Sequence, residues 1–321
     1  MNSFFTDVGV RLQAIGLFLS NAMWPIRVPR WIRTILGVVV VLVVLGYFSG
    51  RVAENLNEVR QAWQPVSWFY LALATVLLVI CLFVMALLWY GLLKTMGGRI
   101  PLAKAVLLYG LTLLPRYMPG LVWGYAGRAV WCERYGVAKK ISAASTIAEI
   151  GLIVLTGLTI VTLRHFSWAW TIVFGAPALL FPGGLLLARI TNQDMLLARF
   201  KQALVWYGWA LAYLVFWFVY GISSWFVVLS IAPNLDFYHA AEVVTSYVSA
   251  WLVGFLIILV PSGLGIRESV FAIALVPILG PIGSIFVPLL ARFISLLSEA
   301  LFSLLCYLAW RTPFQNASWP E

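Results

Sequence analysis

Charged residues are scarce in this sequence. They make up 10% of the 321 residues, whereas hydrophobic residues make up 63%. Soluble domains carry about 25% charged residues, so this composition excludes an ordinary soluble fold. Several apolar runs reach the roughly 20 residues that a helix needs to cross about 30 Å of hydrocarbon. The sequence therefore predicts an all-α polytopic membrane protein, because a membrane β-barrel would need alternating strands of about ten residues instead.

Residues that bind metals or act as nucleophiles are also few. The three cysteines, Cys81, Cys132 and Cys306, show no CxxC spacing, and the sequence has only two histidines. This pattern indicates neither a disulfide framework nor a zinc site, and no P-loop is present. We therefore expect no cofactor, no metal ion and no direct use of ATP. Because no catalytic motif is found, we also expect that the protein is not an enzyme.

Positive charge is in excess in spite of this scarcity, with a formal net charge of +10. The basic residues cluster at the ends of apolar runs, where Lys and Arg mark the cytoplasmic side and contact lipid headgroups. We therefore expect membrane lipids, and not nucleic acid, as partners. The distribution of these residues over the loops predicts a multi-pass protein of the cell inner membrane with both termini in the cytoplasm.

The chain divides into three regions by hydropathy. Residues 1–33 are predicted to form an amphipathic interfacial segment, residues 34–311 a single transmembrane domain, and residues 312–321 a short cytoplasmic tail. Uninterrupted spans are predicted at residues 34–49, 66–93, 142–163, 168–188, 203–231 and 284–309. Two further apolar regions, residues 102–133 and 241–280, are interrupted by proline and glycine.

The two interrupted regions are predicted to be hairpins. Their turns are expected at Pro115 to Gly127 and at Val260 to Ser269. Loop charges require the first region to enter and leave by the cytoplasmic face and the second by the outer face. We therefore predict two re-entrant hairpins in inverted orientation in addition to six spans. Two full spans within residues 241–280 would satisfy the charges equally well and raise the total to eight.

In each interrupted region an arginine follows closely after the prolines and glycines, Arg128 in the first and Arg267 in the second, which suggests a site for an anion. Non-helical backbone persists at membrane depth only where protein or a water-filled cavity surrounds it. A helix that restarts after glycines presents N–H groups to such a cavity, and a phosphate is the expected occupant. Alternatively, the glycines allow close helix packing and the arginines extend to the interface. The candidate substrate-binding residues of the turns are Arg116, Trp123, Arg128, Gly263, Gly265 and Arg267.

Further charged residues lie inside predicted spans. Glu149 is surrounded by apolar neighbours and must face a partner or a cavity, or be protonated. Arg292, Ser295 and Glu299 share one face of the last span, and Glu268 can reach another cation. These residues are candidates for a substrate or proton pathway. A structural network of ion pairs that fixes helix docking is an equal alternative.

Two other functions remain open from the residues alone. Glu54 and Glu58 lie in a predicted outer loop, where membrane glycosyltransferases that use polyprenyl-phosphate sugars often keep acidic catalytic residues. Beside Arg51 and Arg60, the two glutamates also fit a solvated helical face. The remaining alternative is a scaffold that stabilises lipid-modifying enzymes.

Two segments carry a resemblance to a known family. They are LPRYMPGLVWGYAGRAVWCERYGV and VPSGLGIRESVFA, the second of which is similar to a P-x-G-L-G-x-R-E signature. The chain resembles, from about residue 35 to 310, the flippase-like family that includes the transmembrane region of lysylphosphatidylglycerol synthases. The resemblance implies a membrane domain that moves a lipid between leaflets. It also matches Arg267 and Glu268 to the signature.

The resemblance also bears on the cargo and the partners. Bifunctional members carry an aminoacyltransferase domain after the membrane part, whereas ten residues follow Arg311 here, so we expect no synthesis of lysyl-lipid. Stand-alone members resemble proteins of polyprenyl-phosphate, glycolipid or hopanoid pathways. The implied cargo is an anionic lipid, either polyprenyl-phosphate-linked or of the phosphatidylglycerol type. Enzymes of a lipid pathway or a second copy of the chain are the expected protein partners.

Overall fold

The computed structural model describes residues 66–117, 123–165, 173, 194–257 and 263–311. Within these residues the chain forms seven α-helices and no β-strand. The helices are α1 (Trp68–Thr95), α2 (Leu102–Leu111), α3 (Trp123–Arg134), α4 (Lys139–His165), α5 (Asp194–Ile231), α6 (Ala240–Leu256) and α7 (Ile266–Arg311). Short 3-10 helices occupy Leu114–Tyr117 and Phe237–His239.

Four of the described helices are long and apolar enough to cross a membrane. The qualifying segments are Trp68–Thr95, Lys139–Arg164, Arg199–Ile231 and Ile266–Ala309. At 1.5 Å per residue, the 28 residues of α1 extend about 42 Å, more than the roughly 30 Å of a hydrocarbon core. Large apolar side chains such as Phe69, Ile147 and Ile273 are exposed on the outside of the bundle. The structure confirms an all-α polytopic membrane fold.

Three of the predicted spans correspond to observed helices. The prediction of residues 66–93 matches α1, that of 142–163 matches α4, and that of 203–231 lies inside α5. The span predicted at 284–309 is the C-terminal part of α7. The predicted spans at 34–49 and 168–188, the interfacial segment 1–33 and the tail 312–321 lie outside the described residues.

The first interrupted region folds as an antiparallel helical hairpin. Helix α2 ends at Leu111, and α3 begins at Trp123. Lys104 Nζ lies 4.6 Å from the Tyr135 ring centroid, and Arg128 Cζ lies 4.2 Å from that of Tyr109. Residues near the start of α2 therefore contact residues near the end of α3, so the two helices are antiparallel. The prediction of a turn up to Gly127 was too long.

Two glycines that were predicted to belong to the turn lie inside α3. Gly124 and Gly127 are both buried in α3 instead of forming the turn. A Cβ atom added at Gly127 would lie 3.5 Å from the Thr112 side chain, in ordinary contact. An alanine would therefore also fit at Gly127, so this contact does not require a glycine.

The second interrupted region is also an antiparallel hairpin. Helix α6 ends at Leu256 and α7 begins at Ile266. The ring centroids of Tyr247 and Phe271 are 5.2 Å apart, and Arg267 Cζ lies 4.7 Å from the Trp251 ring centroid. The predicted turn ran to Ser269, but the helix already restarts at Ile266, so Arg267 and Glu268 lie in its first turn.

Helix α7 folds back on itself at Gly280. This glycine has φ 69° and ψ 179°, which is not helical, and Pro281 follows it. A straight helix would separate Glu268 from Arg292 by about 36 Å, yet Glu268 Oε1 lies 3.5 Å from Arg292 Nε. Residues 266–279 and 281–311 are therefore antiparallel arms, the first and second arms of α7.

The neighbouring helices also alternate in direction. The rings of Tyr70 and Phe226 stack at 6.4 Å, and Ser67 N–H donates to the carbonyl of Ser230, so the start of α1 packs on the end of α5. Helix α1 also packs antiparallel to α2, because the rings of Trp89, near the end of α1, and Tyr109, near the end of α2, have centroids 6.0 Å apart across the short loop at residues 96–101. Helix α5 packs antiparallel to α6, because the Tyr220 and Tyr247 rings stack at 5.4 Å while the Trp217 and Trp251 rings meet at 5.1 Å.

Candidate functional site

Arg128 and Glu149 form a buried ion pair between α3 and α4. Arg128 Nη1 donates to Glu149 Oε2 at 2.8 Å, and the side chains are 5% and 2% exposed. The Tyr109 hydroxyl, from α2, donates to the other carboxylate oxygen at 2.9 Å. Glu149 therefore has a cationic partner, one of the arrangements that its sequence context required.

Aromatic rings surround the Arg128 guanidinium. Its Cζ atom lies 4.2 Å from the Tyr109 centroid, 5.1 Å from that of Trp89 and 5.6 Å from that of Tyr125. Arg128 Nε is buried and has no hydrogen-bond partner within the part of the chain that the structure describes. An unsatisfied buried donor costs about 1–3 kcal/mol, so this nitrogen could be satisfied by a bound ligand or water.

A cavity adjoins this pair, and we call it the Arg128 cavity. It lies between the first hairpin, α4 and α6. Its polar and aromatic lining includes Tyr109, Thr112, Tyr125, Arg128, Glu149 and Trp251. Thr112 and Leu113 bring the turn of the first hairpin to this cavity, whereas Trp251 and Phe255 bring the end of α6.

Close backbone packing fixes the position of Arg267. Gly263 has φ 64°, and a Cβ atom added there would lie 2.6 Å from the carbonyl oxygen of Gly254. A Cβ atom added at Gly254 would collide with the Arg267 side chain. Only glycine fits both positions, so the two glycines bring α6 and the start of α7 together and direct Arg267 onto Trp251.

Glu268 binds the backbone and a second arginine at the start of α7. Its Oε2 atom accepts a hydrogen bond from the Gly265 N–H at 2.6 Å. Its Oε1 atom lies 3.5 Å from Arg292 Nε on the second arm, with side chains 6% and 12% exposed. The expectation that Glu268 reaches another cation is confirmed.

These residues line the second cavity, which we call the Arg267 cavity. It lies between α5, α6 and both arms of α7. Its lining includes Tyr247, Trp251, Arg267, Glu268, Arg292 and Glu299. Arg292, Ser295 and Glu299 all face it, which agrees with the shared helical face predicted from their spacing.

Trp251 lines both cavities and separates them. Its ring meets Trp217 edge-on at 5.1 Å, stacks on Phe255 at 5.0 Å and lies under the Arg267 guanidinium. The arginine of each hairpin therefore faces one of two adjoining cavities. They do not face one undivided space.

Some predicted residues cannot be placed in this geometry. The backbone of Arg116 lies in the 3-10 helix and that of Trp123 begins α3, but their side chains lie outside what the structure describes. Glu54 and Glu58 also fall outside the described residues. The roles assigned to Arg128, Gly263, Gly265 and Arg267 in binding phosphate stay predictions.

Sequence reasoning did not single out Tyr109 or Trp251. Tyr109 carries a hydroxyl into the apolar helix α2, and a buried tyrosine hydroxyl usually requires a partner, which could have served as a signal. Trp251 has no comparable signal, because an aromatic residue in an apolar helix is ordinary.

Comparison with known proteins places the chain in a family. No curated protein and no solved structure matches it. Residues 34–303 match the family described as Lysylphosphatidylglycerol synthase TM region. This match covers most of the chain and contains both cavities and the residues that line them. It also agrees with the resemblance seen in the two glycine-containing segments, and the chain belongs to the lysylphosphatidylglycerol synthase TM region family.

Proposed function

We propose that this protein moves an anionic, phosphate-bearing lipid between the leaflets of the membrane without a catalytic step. The cargo is a polyprenyl-phosphate-linked or phosphatidylglycerol-type lipid. The family supports a lipid-related membrane function. One observation carries the proposal: two cavities lined by arginines adjoin at Trp251 inside a bundle of apolar helices.

Burial of these charges supports a functional role. Arg128, Glu149, Glu268 and Glu299 are all buried within the helical bundle. Charged side chains in membrane segments are costly and mark substrate or ion pathways by default. Both cavities are lined by charged and aromatic side chains. A lipid headgroup could occupy them while its acyl chains stay in the surrounding bilayer.

The phosphate position in this proposal is the Arg267 cavity. Arg267 and Arg292 both line it, and guanidinium groups bind phosphate oxygens through paired N–H donors. Arg128 already donates to Glu149, so it is less available as a principal phosphate ligand. Its Nε donor, which has no partner among the described residues, can instead bind another part of the headgroup in the adjoining cavity.

We further propose that both hairpins are re-entrant and inverted with respect to each other. Helices α2 and α3 have 10 and 12 residues, or about 15 and 18 Å, too short for a full span. Helix α1 is antiparallel to both α2 and α5, and α5 is antiparallel to α6. Helix α2, which opens the first hairpin, and helix α6, which opens the second, therefore run in opposite directions, as in inverted-repeat transporters.

The placement in the inner membrane with cytoplasmic termini is also a proposal. Lys104 lies against Tyr135, so the α1–α2 and α3–α4 loops are at the same end of the bundle. Basic residues gather at this end, and such residues accumulate on the cytoplasmic side. They are Lys94, Arg99, Lys104, Arg134, Lys139 and Lys140.

Arg267→Ala tests the proposal in proteoliposomes. The assay measures how fast a fluorescently labelled phosphatidylglycerol in the inner leaflet becomes accessible to a membrane-impermeant quencher. Loss of a charged hydrogen-bond donor costs about 1.5–3 kcal/mol, so we expect translocation to slow by about tenfold or more. Arg164→Ala, at an exposed end of α4, is the matched control and should translocate like the wild type.

Three outcomes would contradict the proposal in different ways. Wild-type protein that neither translocates nor retains lipid during purification would favour a scaffold. Normal translocation by the Arg267→Ala variant would remove the role assigned to Arg267. Equal slowing by Arg267→Ala and Arg164→Ala would indicate a general effect of charge and not a site.

A further inference from the structure

We propose that Glu268 is a built-in competitor for the lipid phosphate. Its carboxylate occupies the anion position of the Arg267 cavity, and a phosphate group binds when it replaces this carboxylate. The inference rests on the proposed function, because it concerns how the same cavity is kept closed to anions between transport events. It adds a regulatory role for one residue of the cavity.

The contacts of Glu268 are those that a phosphate group would make. One carboxylate oxygen accepts from the Gly265 N–H at 2.6 Å, and the other lies 3.5 Å from Arg292 Nε. Backbone N–H groups at a helix start and guanidinium groups are the usual donors for phosphate oxygens. The Glu268 side chain is 6% exposed, so solvent has little access to its carboxylate in this position.

Charge balance makes an exchange necessary. Among the described residues that line the cavity, two arginines, Arg267 and Arg292, are balanced by two glutamates, Glu268 and Glu299. A phosphate added to this set would create an excess of negative charge in a poorly solvated space, where like charges repel strongly. Binding therefore requires that one carboxylate leaves or is neutralised.

Glu268 is the carboxylate placed to leave. Glu268 accepts a hydrogen bond from the Gly265 N–H, which lies at the start of a helix. Glu299 instead lies within the second arm of α7, seven residues after Arg292. The ion pair of Glu268 with Arg292 is long at 3.5 Å, compared with about 2.7–2.9 Å for a tight charge-assisted bond. Rotation of one side chain at the start of α7 would open the Gly265 N–H and the Arg292 Nε to a phosphate.

Binding measurements on the purified protein test this competition. The probes are inorganic phosphate and dioctanoyl phosphatidylglycerol, with uncharged dioctanoylglycerol as the control ligand. In Glu268→Gln the amide oxygen can still accept from Gly265, but the competing charge is gone. We expect Glu268→Gln to bind the phosphate probes about tenfold more tightly than the wild type, which corresponds to the loss of one modest charge interaction.

Glu299→Gln is the matched variant, since it removes the same charge from the same cavity. It should tighten binding by clearly less than Glu268→Gln. Equal tightening in the two variants would show that only net charge matters and would overturn the position assigned to Glu268. Unchanged or weaker binding by Glu268→Gln would overturn it as well. The two probes distinguish a lipid headgroup from free phosphate as the preferred ligand.

Chemical rescue gives a readout that needs no transport. Glu268→Ala removes the carboxylate and should lower the melting temperature of the purified protein. Sodium phosphate should then raise the melting temperature of Glu268→Ala more than that of the wild type, at equal ionic strength in sodium chloride. Equal effects on both proteins would contradict the proposal. Where Glu268→Ala does not fold, the comparison is made with Glu268→Gln.

These measurements separate the inference from the proposed function. If the Glu268 variants show tighter binding and rescue but the wild type does not translocate lipid, the anion site is retained and the transport proposal is rejected. Active translocation by the wild type, with no gain in binding by Glu268→Gln, would retain transport and reject the competition.

Discussion

The two charged clusters of the bundle contain similar residues but are built differently. In the first cluster, Arg128 and Glu149 meet at 2.8 Å, and Tyr109 donates a further hydrogen bond to the carboxylate. In the second, Glu268 and Arg292 meet at 3.5 Å, and the remaining carboxylate oxygen binds a backbone amide. The first arrangement is typical of a fixed support, and the second of a site whose partners can change.

The difference follows from where each carboxylate lies in the chain. Glu149 is in the middle of α4, and its side chain is held between α2 and α3 by partners on both. Glu268 is in the first turn of α7, three residues after Gly265, and both Gly263 and Gly265 have positive φ. A helix start next to a cavity gives a side chain alternatives that a packed helix interior does not. Three changes would break or sharpen this contrast.

Removal of Glu149 from the first cluster should have the largest effect on the stability of the fold. Glu149→Ala leaves Arg128 buried without its counter-ion, which typically costs about 3–5 kcal/mol. We expect a marked fall in melting temperature and in the yield of folded protein in detergent. Glu133→Ala is the control, because its pair with Lys139 is about half exposed and should contribute about 1 kcal/mol or less.

A double replacement separates pairing from packing in this cluster. Arg128→Met combined with Glu149→Leu removes both charges, and apolar residues can substitute for a buried ion pair without loss of stability. The double variant should therefore be more stable than Glu149→Ala alone. If it is equally unstable, the cavity or the Tyr109 hydrogen bond, and not the unpaired charge, sets the stability of this cluster.

The second largest effect is expected at the turn of the second hairpin. Gly263→Ala would introduce a Cβ atom 2.6 Å from the Gly254 carbonyl oxygen at a positive φ. Backbone strain of about 1–2 kcal/mol adds to an overpacking cost of about 1–3 kcal/mol. We expect a lower free energy of unfolding in a denaturant titration, together with slower lipid translocation because Arg267 is displaced.

Gly97→Ala is a matched control for that change. Gly97 also has a positive φ, 90°, but nothing lies within 4 Å of a Cβ atom added there. It should therefore lose only the strain component and retain lipid translocation. A similar loss of stability in both variants would show that the close approach of Gly254 and Gly263 contributes little.

Much of this architecture could be predicted from the sequence. Apolar runs predicted the helices. Pro115 and the glycines near Gly263 predicted the two interruptions, because proline and glycine break a helix inside an apolar segment. The spacing of Arg292, Ser295 and Glu299 gave their common face. Each of these inferences depends on local chain geometry, which sequence periodicity records directly.

The partners of the charged residues could not be predicted in the same way. Arg128 pairs with a residue 21 positions away on another helix, and Arg292 pairs with one across a reversal at Gly280. Such pairs depend on which helices dock and in what register, which a single sequence does not encode locally. The division of the site by Trp251 was missed for the same reason, since it arises only where α6 meets both cavities.

The smallest of the three effects concerns a single hydroxyl in each cluster. Tyr109→Phe removes a hydrogen bond to a buried carboxylate, whereas Tyr247→Phe removes a bond of 3.4 Å between two tyrosine hydroxyls that is neutral and long. We expect losses of about 1.5–3 kcal/mol for the first and about 1 kcal/mol or less for the second. Thermal unfolding of both variants in the same detergent measures the difference. If Tyr247→Phe is as destabilising as Tyr109→Phe, the second cluster is as tightly constrained as the first.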